Sequence, residues 1–320
     1  MISSDATATP RNGGPLLLAS LVLALAPVEG YNVTALPSVR VLRSDRPLSR
    51  APVLYDPGIV IVCQGCKRGH FGPHTYVYDA NQYLAVSVPV PFSMETDASV
   101  EAPLLALYLH LDVSLAAELT LEIDRQGGSA RAVPPRSMMS SAVDAGMERS
   151  LERLLRALAD PMESALLAPQ LLRELYYRVL TGPQGPVLRS ALSMQGRFGK
   201  IARALQCIHA TYAQPLDVAQ LAQQAGMSPP SFHTHFKAVT CTSPMQYLKS
   251  TRLHQARLLM VREGMTAAAA CHAVGFESTS QFSREFKRLF GLTPAREARR
   301  MRESFAVPQA WPGAAYVSSH

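Results

Sequence analysis

Residues 228–244, SPPSFHTHFKAVTCTSP, and residues 278–294, STSQFSREFKRLFGLTP, repeat one pattern at a constant offset of fifty. Phe232 matches Phe282, Phe236 matches Phe286, Lys237 matches Lys287, Ser243 matches Thr293 and Pro244 matches Pro294. Self-similarity at a fixed spacing marks one supersecondary unit used twice. The first copy predicts a helix over 218–225 capped by Asp217 and ended by a left-handed Gly226. A second helix follows, capped by Ser228 with Pro229 at its favoured first position. The second copy predicts a helix over 267–274, a stop at Gly275, and a helix from Ser278 or Ser280 to about Phe290. Leu221, Ala222, Phe232 and Phe236 fall at spacings that bury one face of each helix. The outer face of the second helix is then free to enter a major groove. A plain helical solenoid needs more copies than two.

Charge follows the repeat. Residues 196–304 hold fifteen Lys and Arg against six Asp and Glu, a net of +9, while residues 1–195 hold sixteen against eighteen, a net of −2. Clustered cations release counterions when they meet phosphates, so this third suits a polyanion partner; charge alone fits a solvated basic surface equally well. With 48% hydrophobic and 17% charged residues, the 320 residues suit two globular domains rather than a disordered or fibrous chain. The five cysteines, Cys63, Cys66, Cys207, Cys241 and Cys271, form an odd, scattered set, which points to a reducing compartment. The apolar run LLLASLVLALA over 16–26 imitates a secretion-signal core. It is too short to span a bilayer as a helix and follows a single basic residue, Arg11, so a buried N-terminal helix is favoured. A cytoplasmic protein without a membrane partner is expected.

From about 54 to 122, β-prone runs alternate with Gly, Pro and Asn, which predicts an antiparallel sandwich or barrel. A loop is expected over 124–136, and helices over 147–158, 161–166 and 169–180. The fold class is therefore α+β in two domains. Residues 1–182 form a β-domain with following helices, 183–197 a linker, 198–304 an all-α domain with two helix-turn-helix units, and 305–320 a flexible tail.

The stretch 274–294, VGFESTSQFSREFKRLFGLTP, is similar almost throughout to the signature of the AraC/XylS family of transcription regulators. Leu54-Tyr55-Asp56-Pro57, Gly65-Cys66-Lys67, Tyr78-Asp79, and Tyr83 to Val88 followed by Pro91 resemble the cupin-like N-terminal domain of one branch of that family. The resemblance implies a cytoplasmic, nucleoid-associated regulator of double-stranded promoter DNA. RNA polymerase, an unknown effector at the N-terminal domain and a second copy in a homodimer are its implied partners, and no cofactor is implied. It also implies a long helix, 244–262, roughly 28 Å in length, which sets two recognition helices in major-groove turns about 34 Å apart. By similarity, Pro230, His233 and Thr234 face bases from the first unit and Ser280, Gln281 and Arg284 from the second. Arg284 suits a bidentate contact to guanine and Gln281 one to adenine, whereas relatives often carry Arg where Thr234 stands and Pro230 offers no donor. Lys237, Lys287 and Arg288 suit phosphates. Cys241 stands where the second copy has Gly291, so that corner is expected to differ in shape.

Cys63, Cys66, His70 and His74 show a C-x2-C-x3-H-x3-H spacing, which offers either a zinc site or a thiol sensor at Cys63 and Cys66. Strand alternation puts the two cysteines on opposite faces unless Gly65 breaks the pleat, so structural roles are favoured and no metal is expected. His110 stands alone, as a satisfied core histidine would. The competing functions are a cupin-type metalloenzyme fused to a DNA-binding domain, and an architectural protein without sequence readout. The first lacks a His-x-His with a following Glu. The second is distinguished by equal affinity for promoter and random DNA. Nothing in the motifs points to catalysis.

Overall fold

The computed structural model describes residues 14–127 and 133–304. Among the described residues ten strands form two antiparallel sheets. They are β1 (Gly30–Val33), β2 (Val39–Ser44), β3 (Leu48–Tyr55), β4 (Gly58–Gln64), β5 (Cys66–Phe71), β6 (His74–Asp79), β7 (Gln82–Val86), β8 (Val90–Asp97), β9 (Leu104–His110) and β10 (Met138–Ala142). The six-stranded sheet runs β1-β2-β9-β4-β7-β10 and the four-stranded sheet β3-β8-β5-β6. Alternate residues of the larger sheet face two different cores. Val60, Val62, Ala106 and Tyr108 point between the sheets, whereas Ile59, Ile61, Cys63, Leu105 and Leu107 point into a layer of helices. A sheet covered on both faces loses the apolar-polar alternation of a half-exposed one, which is why IVIVC and LLALYL read as unbroken apolar runs.

The covering helices are α1 (Gly14–Leu25), α2 (Val113–Gly127), α3 (Ala145–Ala159), α4 (Pro161–Leu166), α5 (Ala168–Thr181) and α6 (Gly185–Leu192). The expected N-terminal helix is present as α1, whose Leu18, Ala19 and Val22 are buried in this layer. One expectation is corrected here. Residues 113–127 are helical rather than strand and loop: Asp112 accepts hydrogen bonds from the Ser114 and Leu115 amides, and Ala116, Leu119 and Thr120 form the buried stripe. Within the segment 183–197, α6 buries Val187, Leu188 and Leu192 in the helix layer. Of the loop expected over 124–136, residues 128–132 lie outside the described residues, as does the tail 305–320.

The remaining helices are α7 (Gly196–Thr211), α8 (Val218–Gln224), α9 (Pro229–Thr240), α10 (Pro244–Arg262), α11 (Ala267–Ala273), α12 (Thr279–Phe290) and α13 (Pro294–Ser304). The cap chemistry sets these boundaries. Asp217 and Gln220 form a reciprocal capping box, Gly226 takes φ 58°, and Ser278 rather than Ser280 accepts the hydrogen bond that starts α12.

The two units are anchored differently. Phe198, Ile201, Leu221, Phe232, Phe236 and Tyr247 share one continuous core with the inner faces of the sheets. Ser137 Oγ donates to the Val239 carbonyl at 2.6 Å, and Tyr247 Oη to the Pro89 carbonyl at 3.0 Å. The second unit has its own core around Phe276, Phe282, Phe286, Val274 and Met260, and meets the β-domain at Leu54 against Leu258.

Candidate nucleic-acid interface

Phe232 and Phe236 pack at 5.4 Å and 53°, and Phe282 and Phe286 at 5.6 Å and 54°, so the sequence repeat is a repeat of side-chain geometry. That shared packing holds α9 and α12 with the same face inward. Every residue expected to meet DNA lies on the opposite, exposed side: Pro230, His233, Thr234 and Lys237 on α9, and Ser280, Gln281, Arg284, Lys287 and Arg288 on α12.

The two outer faces differ chemically. On α9, Thr234 Oγ1 donates to the Pro230 carbonyl at 3.1 Å, so its proton is committed within its own helix. Pro230 has no donor, which leaves His233 as the strongest hydrogen-bonding group of that set. On α12, Ser278, Gln281, Arg284, Glu285 and Arg288 line one open groove. Among the described residues Arg284, Lys237 and Lys287 make no ion pair, and their charges are free to meet an incoming anion. Arg288 pairs with Glu285, which also accepts from Lys249 Nζ at 3.0 Å. Such exposed pairs are worth little and exchange readily for a phosphate.

Spacing between the units is set by α10, whose 19 residues give about 28 Å. The side chain that fixes the second unit against the first is Arg252, which the sequence did not single out. It donates to the carbonyls of Tyr212 at 2.7 Å, Gln214 at 2.9 Å and Gly275 at 3.0 Å, tying the end of α7 to the turn before α12. Burial pushes its guanidinium pKa down, yet leaves it charged at neutral pH. Arg257 is the second such residue. It stacks on Phe290 at 4.4 Å, and Glu297 faces it at 3.5 Å. An Arg in a helix of mixed polarity carries no sequence signal that separates such a tie from a solvated residue.

The Cys241 corner does not differ in shape from its repeat. Cys241 takes φ 57° and Gly291 φ 78°, both left-handed, and each amide bonds back to a lysine carbonyl, Lys237 or Lys287. Packing accounts for the tolerance: Cys241 lies against Gly72 in the β5–β6 turn, where a Cβ on that glycine would come within 2.7 Å of its sulfur.

The Cys–His spacing does not assemble a metal centre. Gly65 does break the pleat, at φ 83° beside a register shift, and it sends Cys63 and Cys66 into different sheets. Cys63 is buried in the helix layer and its thiol is pushed up to about 12; burial raises the Cys66 thiol as well, so neither is a ready thiolate. His70 bonds Thr75 and Glu95, and His74 is exposed beside Tyr76. Among the described residues no group of three or more His, Cys, Asp or Glu side chains is arranged to hold a metal. His110 is partnered by Asp56 at 3.1 Å. No helix of the described residues is long and apolar enough to cross a membrane.

Comparison with known proteins fits this geometry at both ends of the chain. The family model for the AraC-type transcriptional regulator N-terminus matches residues 35–187, and a helix-turn-helix domain model matches 221–300. The regulator AlkR of Acinetobacter baylyi is 34% identical over 95 residues, 30% of this chain and 31% of AlkR. ExsA of Pseudomonas aeruginosa is 27% identical over 152 residues, 48% of this chain and 53% of ExsA. The matches thus span about a third to about half the length of these relatives. ToxT of Vibrio cholerae shares the fold, with a TM-score of 0.57 at 11% identity over 82% of this chain and 96% of that one. With the β-domain and its helices matched by one model and the paired units by the other, the chain belongs to the AraC family of transcriptional regulators.

Proposed function

We propose that the chain is a sequence-specific transcription regulator that inserts α9 and α12 into successive major grooves and reads them unequally. The observation that carries this reading is the contrast between two recognition helices of equal geometry: α12 presents the unpaired Arg284 beside Gln281 and Ser280, whereas α9 presents a proline, a self-bonded threonine and His233. Arg284 and Gln281 contact base edges and supply most of the discrimination; Pro230, His233 and Thr234 contact bases with less selectivity. Lys237, Lys287 and Arg288 hold the backbone on either side.

In this function residues 1–182 receive an effector and 198–304 bind promoter DNA, with 183–197 joining them through α6. A first unit fused to the sheet core and a second unit resting on it provide the coupling, because a change in the β-domain alters the angle between the readers. RNA polymerase is the partner at the promoter, a homodimer is the assembly, and the cytoplasmic nucleoid is the location. No catalytic step and no cofactor belong to this function.

The test is a footprint of the purified protein on DNA flanking its own gene, at near-physiological salt, beside an Arg284→Ala variant. Two protected blocks one helical turn apart, the second lost in the variant, are expected. Uniform protection unchanged by Arg284→Ala rejects sequence readout.

A further inference from the structure

The two units, alike in sequence at an offset of fifty, differ at two places in what they touch. The Val239 carbonyl, in the last turn of α9, accepts from Ser137 Oγ at 2.6 Å. Among the described residues no side chain donates to its counterpart on α12, the Leu289 carbonyl. Tyr247, in the first turn of α10, donates to the Pro89 carbonyl at 3.0 Å. Its counterpart in α13 is Glu297, which pairs with Arg257 of α10 and Arg300 of α13. Tyr247 and Glu297 are both fully buried, so the contrast lies in what each reaches and not in exposure.

The last carbonyls of a helix have no partner within it, and a hydroxyl from elsewhere that meets one caps the helix. Ser137, at the start of β10, does this for α9. The Tyr247 ring packs edge-on against Phe236 of α9 at 5.5 Å and 84°. Its hydroxyl, with the proton on Pro89, receives His209 Nε2–H from α7 at 2.7 Å. One residue thereby joins α7, α9 and α10 to the β-domain. The β-domain ends of these bonds are themselves stitched together. The Ser87 amide donates to the Ser137 carbonyl at 2.9 Å and Ser87 Oγ to the Arg136 carbonyl at 2.8 Å, two residues before Pro89. Residues 87–89 and 136–137 form one patch, at the end of β7 and the start of β10, that holds both α9 and α10.

We propose that Ser137 and Tyr247 are positioning residues for the first reader. Through them this patch holds α9 at the angle at which it enters its groove, while α12 is held by its own unit. A movement of the patch relative to the sheets is passed to α9 and not to α12, which makes the first half of the DNA site the regulated half. This latch rests on the DNA reading proposed above and names the point at which the β-domain acts on it.

The test compares dissociation constants of the full chain for three DNAs: the footprinted site, that site scrambled under α9, and that site scrambled under α12. Tyr247→Phe keeps the ring on Phe236 and loses the hydroxyl; Ser137→Ala loses the cap. Each is expected to weaken binding to the intact site by about three- to ten-fold and to leave binding to the site scrambled under α9 unchanged. A merely structural loss weakens all three alike. Unchanged binding to the intact site in both variants, or equal losses on all three DNAs, overturns the latch. A further variant leaves both hydrogen bonds in place. Gly72→Cys sets a Cβ 3.3 Å from that of Cys241, close to the separation a disulfide requires, so oxidation with diamide ties the end of α9 to the β5–β6 turn. The oxidised chain is expected to protect both blocks. Loss of the α9 block on oxidation, restored by dithiothreitol, overturns the latch, because α9 would then have to leave the β-domain to read. A wild-type chain that binds the three DNAs equally overturns the DNA reading and the latch together.

Discussion

Phe236 and Phe286 occupy the same place in the repeat and are both fully buried, but their truncations are expected to have different reach. A buried Phe→Ala change costs about 3–5 kcal/mol. Phe286 belongs to a separate core of ten buried side chains. A unit of that size is stabilised by roughly 3–7 kcal/mol at common per-residue values, so Phe286→Ala removes most of its local stability. Phe236 belongs to a core continuous with Phe92, Val90 and Tyr78 of the sheets, where the same loss is shared by strands. Segment-resolved hydrogen exchange on the full chain measures this. Phe286→Ala is expected to lower protection of α11 and α12 by roughly two to three orders of magnitude and leave β5 and β8 unchanged. Phe236→Ala is expected to lower protection in α9, β5 and β8 together. Loss of strand protection in Phe286→Ala, or intact strands in a destabilised Phe236→Ala, refutes the unequal anchoring.

Cys241→Gly relieves a left-handed Cβ and is expected to stabilise the chain by up to about 1 kcal/mol in urea unfolding. Gly72→Ala meets Cys241 Sγ at 2.7 Å and is expected to destabilise, less so when Cys241→Gly removes the clash. Burial holds the His209 pKa down at about 3 and, with Arg257 nearby, holds His254 well below its ordinary value. Both groups bind protons more tightly in the unfolded chain. Their stabilising contribution is therefore complete above the unfolded pKa of about 6.5 and is lost as pH falls below it, at about 1.4 kcal/mol per pH unit for each histidine. Denaturation midpoints between pH 7 and pH 5 check this, and a flat profile contradicts it. Alanine at Lys237, Lys287 or Arg288 is expected to weaken every DNA sequence alike and reduce the slope of log K against log salt by about 0.9 per lost phosphate contact. Sequence-dependent losses would place that residue at a base.

The DNA-binding third was legible because its signals are local. Asp217, Gly226, Ser228 and Ser278 act on their own turns, and the Phe pairs at offset fifty declare the repeat. The ends of α10, Pro244–Arg262, fall where the family resemblance implies them, and the Ser243 hydroxyl accepts the capping hydrogen bond that starts the helix. The β-domain was legible in kind and not in detail. Strands covered on both faces lose their alternation, β1 to β3 precede the runs that suggest strands, and α2 follows β9 after a single turn. Least legible were contacts between residues far apart in sequence: Ser137 with Val239, Leu54 with Leu258, and the three carbonyls gathered by Arg252. Lys67 is the sharpest example, since a lysine in a β-strand is ordinarily read as an exposed residue and here it is buried.

Under the proposed function, two geometrically equal helices read DNA unequally. The most direct test is the dissociation constant, at one fixed salt concentration, for the footprinted site and for single base-pair substitutions in each protected block. Substitutions under α12 are expected to cost about 1–3 kcal/mol each, and Arg284→Ala is expected to erase the cost at one position, while substitutions under α9 cost less. Equal costs in both blocks, or full discrimination retained by Arg284→Ala, would contradict the account.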